Sequence, residues 1–276
     1  MASSTPLGDN PVSSADAAGG VSVVAGRTRQ AQVVEVFSSI QGEGSHIGCR
    51  HIFVRFFACN LRCNYCDTPE SLTGTPRARL EVEAGQGNFE ICDNPITEES
   101  LMSCITRLAQ NPHDAVSLTG GEPLLQKDFL RSLCPQIRAL GLGTFLETNG
   151  TLPEHLRAVI HCIDTVSMDI KLPETLRNGQ SWFDKHREFL RIALQTEVYA
   201  KLVLPAAPNW SAVEKAAKMI ASVDSTVLLV IQPVTPSGSI TESPSSETIV
   251  RTFDIASKHL SDVRVIPQVH KMIGLR

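Results

Sequence analysis

From Gln32 onward the chain alternates short runs of β-branched and apolar residues with longer stretches whose apolar positions recur every three or four residues. That alternation is the signature of βα units around a parallel sheet. Read as strands, the short runs are QVVEVF, HIFVRFF, AVSLT, GTFLET, IDTVSMDI, EVYAKLVL, TVLLVIQP and VRVIPQV. Helices are predicted near residues 97–110, 124–140, 152–161, 182–195, 209–222 and 246–260. Thr97 followed by Glu98 and Glu99 supplies a cap and negative charge for a first turn, Asn209 can cap the helix containing AVEKAAKMIASV, and Gly141 suits a helix end. Six or so such units fit a complete or partial (β/α) barrel or a doubly wound sheet, and the pattern alone does not choose between them.

Three segments break the alternation. Residues 73–95 form an insertion, read as a hairpin turning at AGQG. TPSGSITESPSSE reads as a surface loop or lid. Residues 1–30, rich in Ala, Ser, Gly and Pro with no basic residue before Arg27, are expected to be a disordered tail. No internal repeat is visible.

With 276 residues, 42% hydrophobic and 20% charged, the chain suits one soluble α/β domain over residues 31–276. Its 25 basic and 29 acidic residues give a formal charge of -4 and a pI near 6.1. That balance provides no footprint for nucleic acid and no polybasic membrane patch, so a small-molecule or protein partner is expected. No apolar run is long enough to span a bilayer and no signal-like N-terminus is present, so a cytoplasmic location is expected.

The chemistry concentrates in CNLRCNYCDT. Cys59, Cys63 and Cys66 form a C-x3-C-x2-C array directly after HIFVRFF, where parallel-sheet proteins place functional loops. A structural zinc site wants a fourth ligand at comparable spacing. His51 belongs to the preceding strand and Cys92 to the insertion, so a zinc site would need a distant ligand. A 4Fe-4S cluster is ordinarily held by four thiolates, and three would leave one iron open to a substrate or cofactor. Cys49, Cys92, Cys104, Cys134 and Cys162 are scattered and read as ordinary small residues.

Tyr65 precedes the last cysteine of the array, SLTGGEP follows a strand with paired glycines and Glu122, and ETNG and SMDIK end two further strands. Each alone is a common turn or packing motif. Occurring in this order at strand ends, they argue for one shared active face. The set resembles the radical S-adenosylmethionine superfamily. By that resemblance the open iron chelates S-adenosylmethionine, and an electron from the reduced cluster cleaves it to release a 5'-deoxyadenosyl radical. The resemblance places Tyr65, Cys66, Asp67, Gly121, Glu122 and Ser167 around that cofactor. It also implies a partial or modified (β/α) barrel.

The stretch SSIQGEGSHIGCRHIFVRFFACNLRCNYCDT is more specific and is similar to the 7-carboxy-7-deazaguanine synthase family of queuosine and 7-deazapurine biosynthesis. The likeness runs over roughly residues 32–276 and rests on QGEG, Arg55, CDT, IQP and PQVHK. It implies a lyase that contracts the pyrazine ring of 6-carboxy-5,6,7,8-tetrahydropterin with loss of ammonia. Ile40, Gln41, Gly42, Arg55, Thr119, Gln232 and His270 would bind that substrate, Glu43 and Glu147 would be catalytic, and Thr68 would contact Mg2+. A homodimer and an external electron donor of the flavodoxin or ferredoxin type are also implied. The family commonly has SPK where this chain has SMDIK, which leaves the role of Lys171 open. Two other readings are a glycyl-radical activating enzyme and a non-catalytic zinc module; the second leaves TGGEP without a purpose.

Overall fold

The computed structural model describes residues 29–73, 76–237 and 240–276. In chain order the elements are β1 (Gln30–Ala31), β2 (Val33–Ile40), β3 (Arg50–Phe56), α1 (Glu70–Thr73), β4 (Arg77–Glu81), β5 (Phe89–Asp93), β6 (Ile96–Thr97), α2 (Glu98–Leu108), β7 (Ala115–Gly120) and α3 (Lys127–Ala139). They continue with β8 (Gly143–Thr148), α4 (Pro153–Val159), β9 (Thr165–Ile170), α5 (Phe183–Ala193), β10 (Glu197–Leu204), α6 (Trp210–Ala221), β11 (Leu229–Pro233), α7 (Ser246–Ser257), β12 (Val263–Val265) and α8 (Val269–Met272). Ten strands form one sheet in the order β12-β11-β10-β9-β8-β7-β3-β2-β4-β5. From β3 to β12 every neighbouring pair is parallel. The edge strands β12 and β5 do not meet, so the barrel is partial.

Side-chain alternation gives the sheet two unlike faces. Val54, Leu118, Leu146, Met168, Leu202 and Ile231 point outward into the main core, at most 1% exposed, with Leu101, Leu130, Leu156, Phe189 and Val213 of the covering helices. Burying each such aliphatic side chain contributes about 1.5–3 kcal/mol. On the inner face, Ala115, Phe145, Tyr199 and Val230 make a small apolar cluster deep in the barrel.

The predicted caps form: Thr97 Oγ1 accepts from Ser100 N at 3.1 Å, and Asn209 Oδ1 accepts from Ser211 N at 3.1 Å. Gly141 takes φ +79° just past α3. The insertion is a hairpin, β4 antiparallel to β5, with Gly85 and Gly87 at positive φ in its turn.

Three expectations change. QVVEVF runs antiparallel to β3, because only the segment 41–49 joins the two and a parallel crossover needs a dozen or more residues. VRVIPQV is a strand only over Val263–Val265; Pro267 lacks an N–H, and Val269 N donates to Gly42 O at 3.0 Å instead of extending the sheet. The tail boundary moves, since Gln30 pairs with Thr97 and Arg29 Nη1 donates to Ser132 Oγ at 2.6 Å; residues 1–28 lie outside the described residues. Among the described residues no helix is long and apolar enough to cross a membrane.

His51 and His186 are fully buried, and burial lowers both imidazoles to about 4. The unfolded chain therefore takes up these protons first, near pH 6.5. The stability they support is complete above that value and is lost as pH falls toward about 4. Between pH 7 and pH 5 each histidine should lower stability by about 2 kcal/mol. His51→Gln and His186→Gln should each remove its share of that dependence in urea titrations at the two pH values. A wild-type-minus-variant difference that ignores pH would rule this out.

Candidate active site

The inner face carries one polar residue per strand toward the C-terminal end of the parallel array: Arg55 on β3, Thr119 on β7, Glu147 on β8, Asp169 on β9, Lys201 on β10 and Gln232 on β11. Register aligns them, with Arg55 beside Thr119, Lys201 beside Asp169, and Glu35 of β2 beside Arg55. The six line one cavity of about 220 Å³. Lys201 Nζ is paired to Glu43 and, at 3.2 Å, to Asp169. Lys171 Nζ pairs with the other Asp169 oxygen at 2.6 Å and donates to the Tyr65 hydroxyl at 3.0 Å. Burial opposes the charge on both lysines, but Asp169, and Glu43 beside Lys201, keep them well above the ordinary lysine range.

The segment 41–49 crosses the inner face and forms the cavity floor. Gln41 Nε2 donates to Glu147 at 2.8 Å, and Gln41 Oε1 accepts from Glu43 N at 3.0 Å. Thr119 Oγ1 donates to the other Glu147 oxygen at 2.7 Å. Burial and the nearby charge of Glu43 push the Glu147 carboxyl up. Glu43 moves the opposite way: burial raises it, but Lys201 and a 2.7 Å hydrogen bond from Gln268 hold it below the usual range. Gly42 is required by packing, since a Cβ there would sit 2.2 Å from the His270 ring.

The cysteine loop is fastened by its neighbours. Glu122 N donates to Ala58 O at 2.8 Å, and a Cβ on Gly121 would lie 2.1 Å from that same oxygen. The fully buried Glu122 carboxylate accepts from Leu124 N, Thr148 Oγ1 and Asn149 N at 3.1, 2.8 and 2.8 Å. Burial nevertheless pushes it up to about 7. Asn149 Nδ2 in turn donates to Asn60 Oδ1 at 2.9 Å. Cys59, Cys63 and Cys66 all line the cavity as free thiols.

A family model of the radical SAM superfamily matches residues 53–228. A 7-carboxy-7-deazaguanine synthase from Geobacter sulfurreducens is 38% identical over 247 residues, covering 88% of this chain and 97% of that protein. One from Methanopyrus kandleri is 36% identical, covering 87% of this chain and 92% of its own length. The chain belongs to the 7-carboxy-7-deazaguanine synthase family. The crystal structure of QueE from Escherichia coli superposes with a TM-score of 0.56 at 19% identity, over 87% of this chain and 94% of that one, a likeness of fold.

As a radical SAM enzyme of this family, the protein uses a 4Fe-4S cluster and S-adenosylmethionine. The residues fit both. Burial raises the Cys59 and Cys63 thiols, so each keeps its proton until iron replaces it. Ile40, Gln41, Gly42, Glu43, Arg55, Tyr65, Asp67, Thr68, Thr119, Gly121, Glu147, Gln232 and His270 also line the cavity. Ser167 and Glu122 do not. Ser167 lies one alternation deeper on β9, hydrogen-bonded to Tyr199, and Asp169 takes the cavity position. Glu122 sits behind the glycines as a brace. Lys201, Asp169 and Gln268 escaped the sequence reading, although a lysine inside the apolar run EVYAKLVL was a signal.

Lys201→Met would leave Glu43 and Asp169 buried without their shared cation. We expect a loss of about 3–5 kcal/mol in the urea unfolding free energy. A variant as stable as the wild type would show that the two carboxylates do not depend on Lys201.

Proposed function

We propose that the protein converts 6-carboxy-5,6,7,8-tetrahydropterin to 7-carboxy-7-deazaguanine with loss of ammonia. The observation that carries this reading is the joint lining of one cavity by the three cluster cysteines and an arginine pair anchored on one carboxylate. Arg55 Nε holds Glu35 Oε1 at 3.0 Å, and Arg276 Nη2 holds Glu35 Oε2 at 2.6 Å. Guanidinium groups at the cavity wall suit the substrate carboxylate, which they can grip with two-pronged charged hydrogen bonds. Among the described residues the buried Gln232 Oε1 has no hydrogen-bond partner, as expected of an acceptor reserved for an N–H of the pterin edge.

When bound, the cluster and S-adenosylmethionine supply the radical that removes hydrogen from the carbon bearing the carboxylate. The chain's own residues orient the substrate and handle protons. Glu43, kept ionised by Lys201, accepts from ring N–H groups. Glu147, whose carboxyl burial and Glu43 push up, lines the same cavity as an acid–base group. The amide of Gln41 already bonds Glu147 and the Glu43 backbone, so its role is to set those two groups.

Asp169 and Lys171 would meet the amino acid part of S-adenosylmethionine. A second cavity of about 270 Å³, sharing Tyr65 and Val234 with the first and lined by Pro205, Ala206 and Ile240, suits its nucleoside. Thr68, whose Oγ1 is 4.0 Å from Cys66 Sγ, offers the hard oxygen that Mg2+ prefers. Family resemblance supports a cytoplasmic homodimer served by a flavodoxin or ferredoxin.

Anaerobic reconstitution with iron and sulfide, then incubation with S-adenosylmethionine, reductant, Mg2+ and the carboxy-tetrahydropterin, should yield 7-carboxy-7-deazaguanine. Cys63→Ala should abolish turnover, and product formation without iron would end the proposal. Arg55→Ala should raise the pterin Kd by about 10–100-fold, the worth of a charge-assisted hydrogen bond, at unchanged iron content. Unaltered affinity would remove Arg55 from the carboxylate site.

A further inference from the structure

We propose that Gln268 is a positioning residue that ties the two halves of the cavity together: the floor that would hold the pterin and the cysteine loop that would hold S-adenosylmethionine. The proposal rests on the function proposed above and adds the side chain that registers one ligand against the other. The last strand stops at Val265, and beyond Pro267 the chain turns in, so that Gln268, His270 and Lys271 line the cavity. This segment touches both halves at once. Val269 N donates to Gly42 O on the floor at 3.0 Å, and Lys271 Nζ pairs with Asp67 Oδ2 on the loop at 2.7 Å. Between these two contacts, Gln268 Nε2 donates to Glu43 Oε1 at 2.7 Å and to Asp67 Oδ2 at 3.4 Å.

An amide suits this place for a chemical reason. Glu43 and Asp67 each already have an ammonium partner, Lys201 for the first and Lys271 for the second. A primary amide carries two N–H donors and no charge, so one group can serve both carboxylates without competing with either ion pair. Gln268 is only 8% exposed, which confines its side chain to this position. In the chain the floor and the cysteine loop are separated by the whole of β3, and the Gln268 amide joins them across that gap. Transfer of a hydrogen atom demands near-contact between the reacting groups, and a displacement of about 1 Å can cost about a hundredfold in rate. Loosening this tie should therefore impair hydrogen transfer more than it impairs the binding of either ligand.

The test is Gln268→Met, which keeps the length of the side chain and removes both donors. In the full-length chain without metal, amide hydrogen exchange read by mass spectrometry should quicken about tenfold in peptides covering 41–49 and in those covering 58–66, as loss of hydrogen bonds to charged groups predicts, while β8 and β9 keep their protection. In the reconstituted enzyme, supplied with S-adenosylmethionine, reductant, Mg2+ and the carboxy-tetrahydropterin, the ratio of 7-carboxy-7-deazaguanine to 5'-deoxyadenosine should fall about tenfold at wild-type iron content. Cleavage of S-adenosylmethionine then continues, but the radical takes its hydrogen from other donors. Gln268→Asn, whose amide is one methylene shorter and cannot span both carboxylates, should show the same fall, and it decides the matter if Gln268→Met takes up less iron. A role in stability alone would lower both products together and leave their ratio at the wild-type value. That result, or wild-type exchange in both segments, would overturn the positioning role. A wild-type enzyme that forms no 7-carboxy-7-deazaguanine would overturn the function proposed above, and the positioning role with it.

Discussion

A single ammonium group, Lys201 Nζ, stands between carboxylates from two different parts of the fold: Glu43 on the segment crossing the cavity floor and Asp169 on the wall. Burying one ion pair commonly costs as much in desolvation as it returns in attraction. Here Lys201 faces two anions and Asp169 faces two cations, so each charge has opposite neighbours. Lys201 and Lys171 pair with Glu43 and Asp169, while Glu147 makes no ion pair among the described residues and feels Lys201 only at longer range. That is why burial and Glu43 raise Glu147 despite hydrogen bonds from Gln41 and Thr119. One network therefore holds a floor segment inside the barrel, lowers the pKa of one carboxyl and sits beside a neighbour whose pKa is raised.

The cysteine loop obeys a different constraint. It has no regular ladder of its own and borrows rigidity from the three loops that follow later strands. Ala58 O is held by the Glu122 amide, Asn60 by Asn149, and Asn64 by Thr175. Glu122 unites the first two of these braces, because its buried carboxylate accepts from the loop after β8 while its amide donates to the cysteine loop. The paired glycines are needed because the two backbones approach too closely for a Cβ.

Period-two runs, capping residues and glycine turns were legible in the sequence because they are local signals. They gave the strands, the helices and the hairpin, and the cysteine spacing with GGEP pointed to loops that line the cavity. The antiparallel entry of β2 was readable too, from a connection too short for a crossover. Lys201 was hidden for a physical reason: its partner Glu43 lies 158 residues away, and a lysine in a strand usually extends its ammonium into water. Polar positions on this face repeat every second residue at Ser167, Asp169 and Lys171, and the depth of the cavity, which the sequence does not carry, decides that the last two reach it.

The inserted hairpin also bears on the site, through Arg276. The Arg276 guanidinium lies 5.2 Å from the Phe37 ring centre and 5.3 Å from that of Phe89, the second of which belongs to the insertion. Cation–π contacts of this kind contribute about 0.5–2 kcal/mol, more as water is excluded. Glu35 alone would draw Arg276 toward Arg55 against the repulsion of two like charges. The aromatic rings supply attraction without adding a second anion. The hairpin thus stabilises a second guanidinium at the cavity edge through the Phe89 ring.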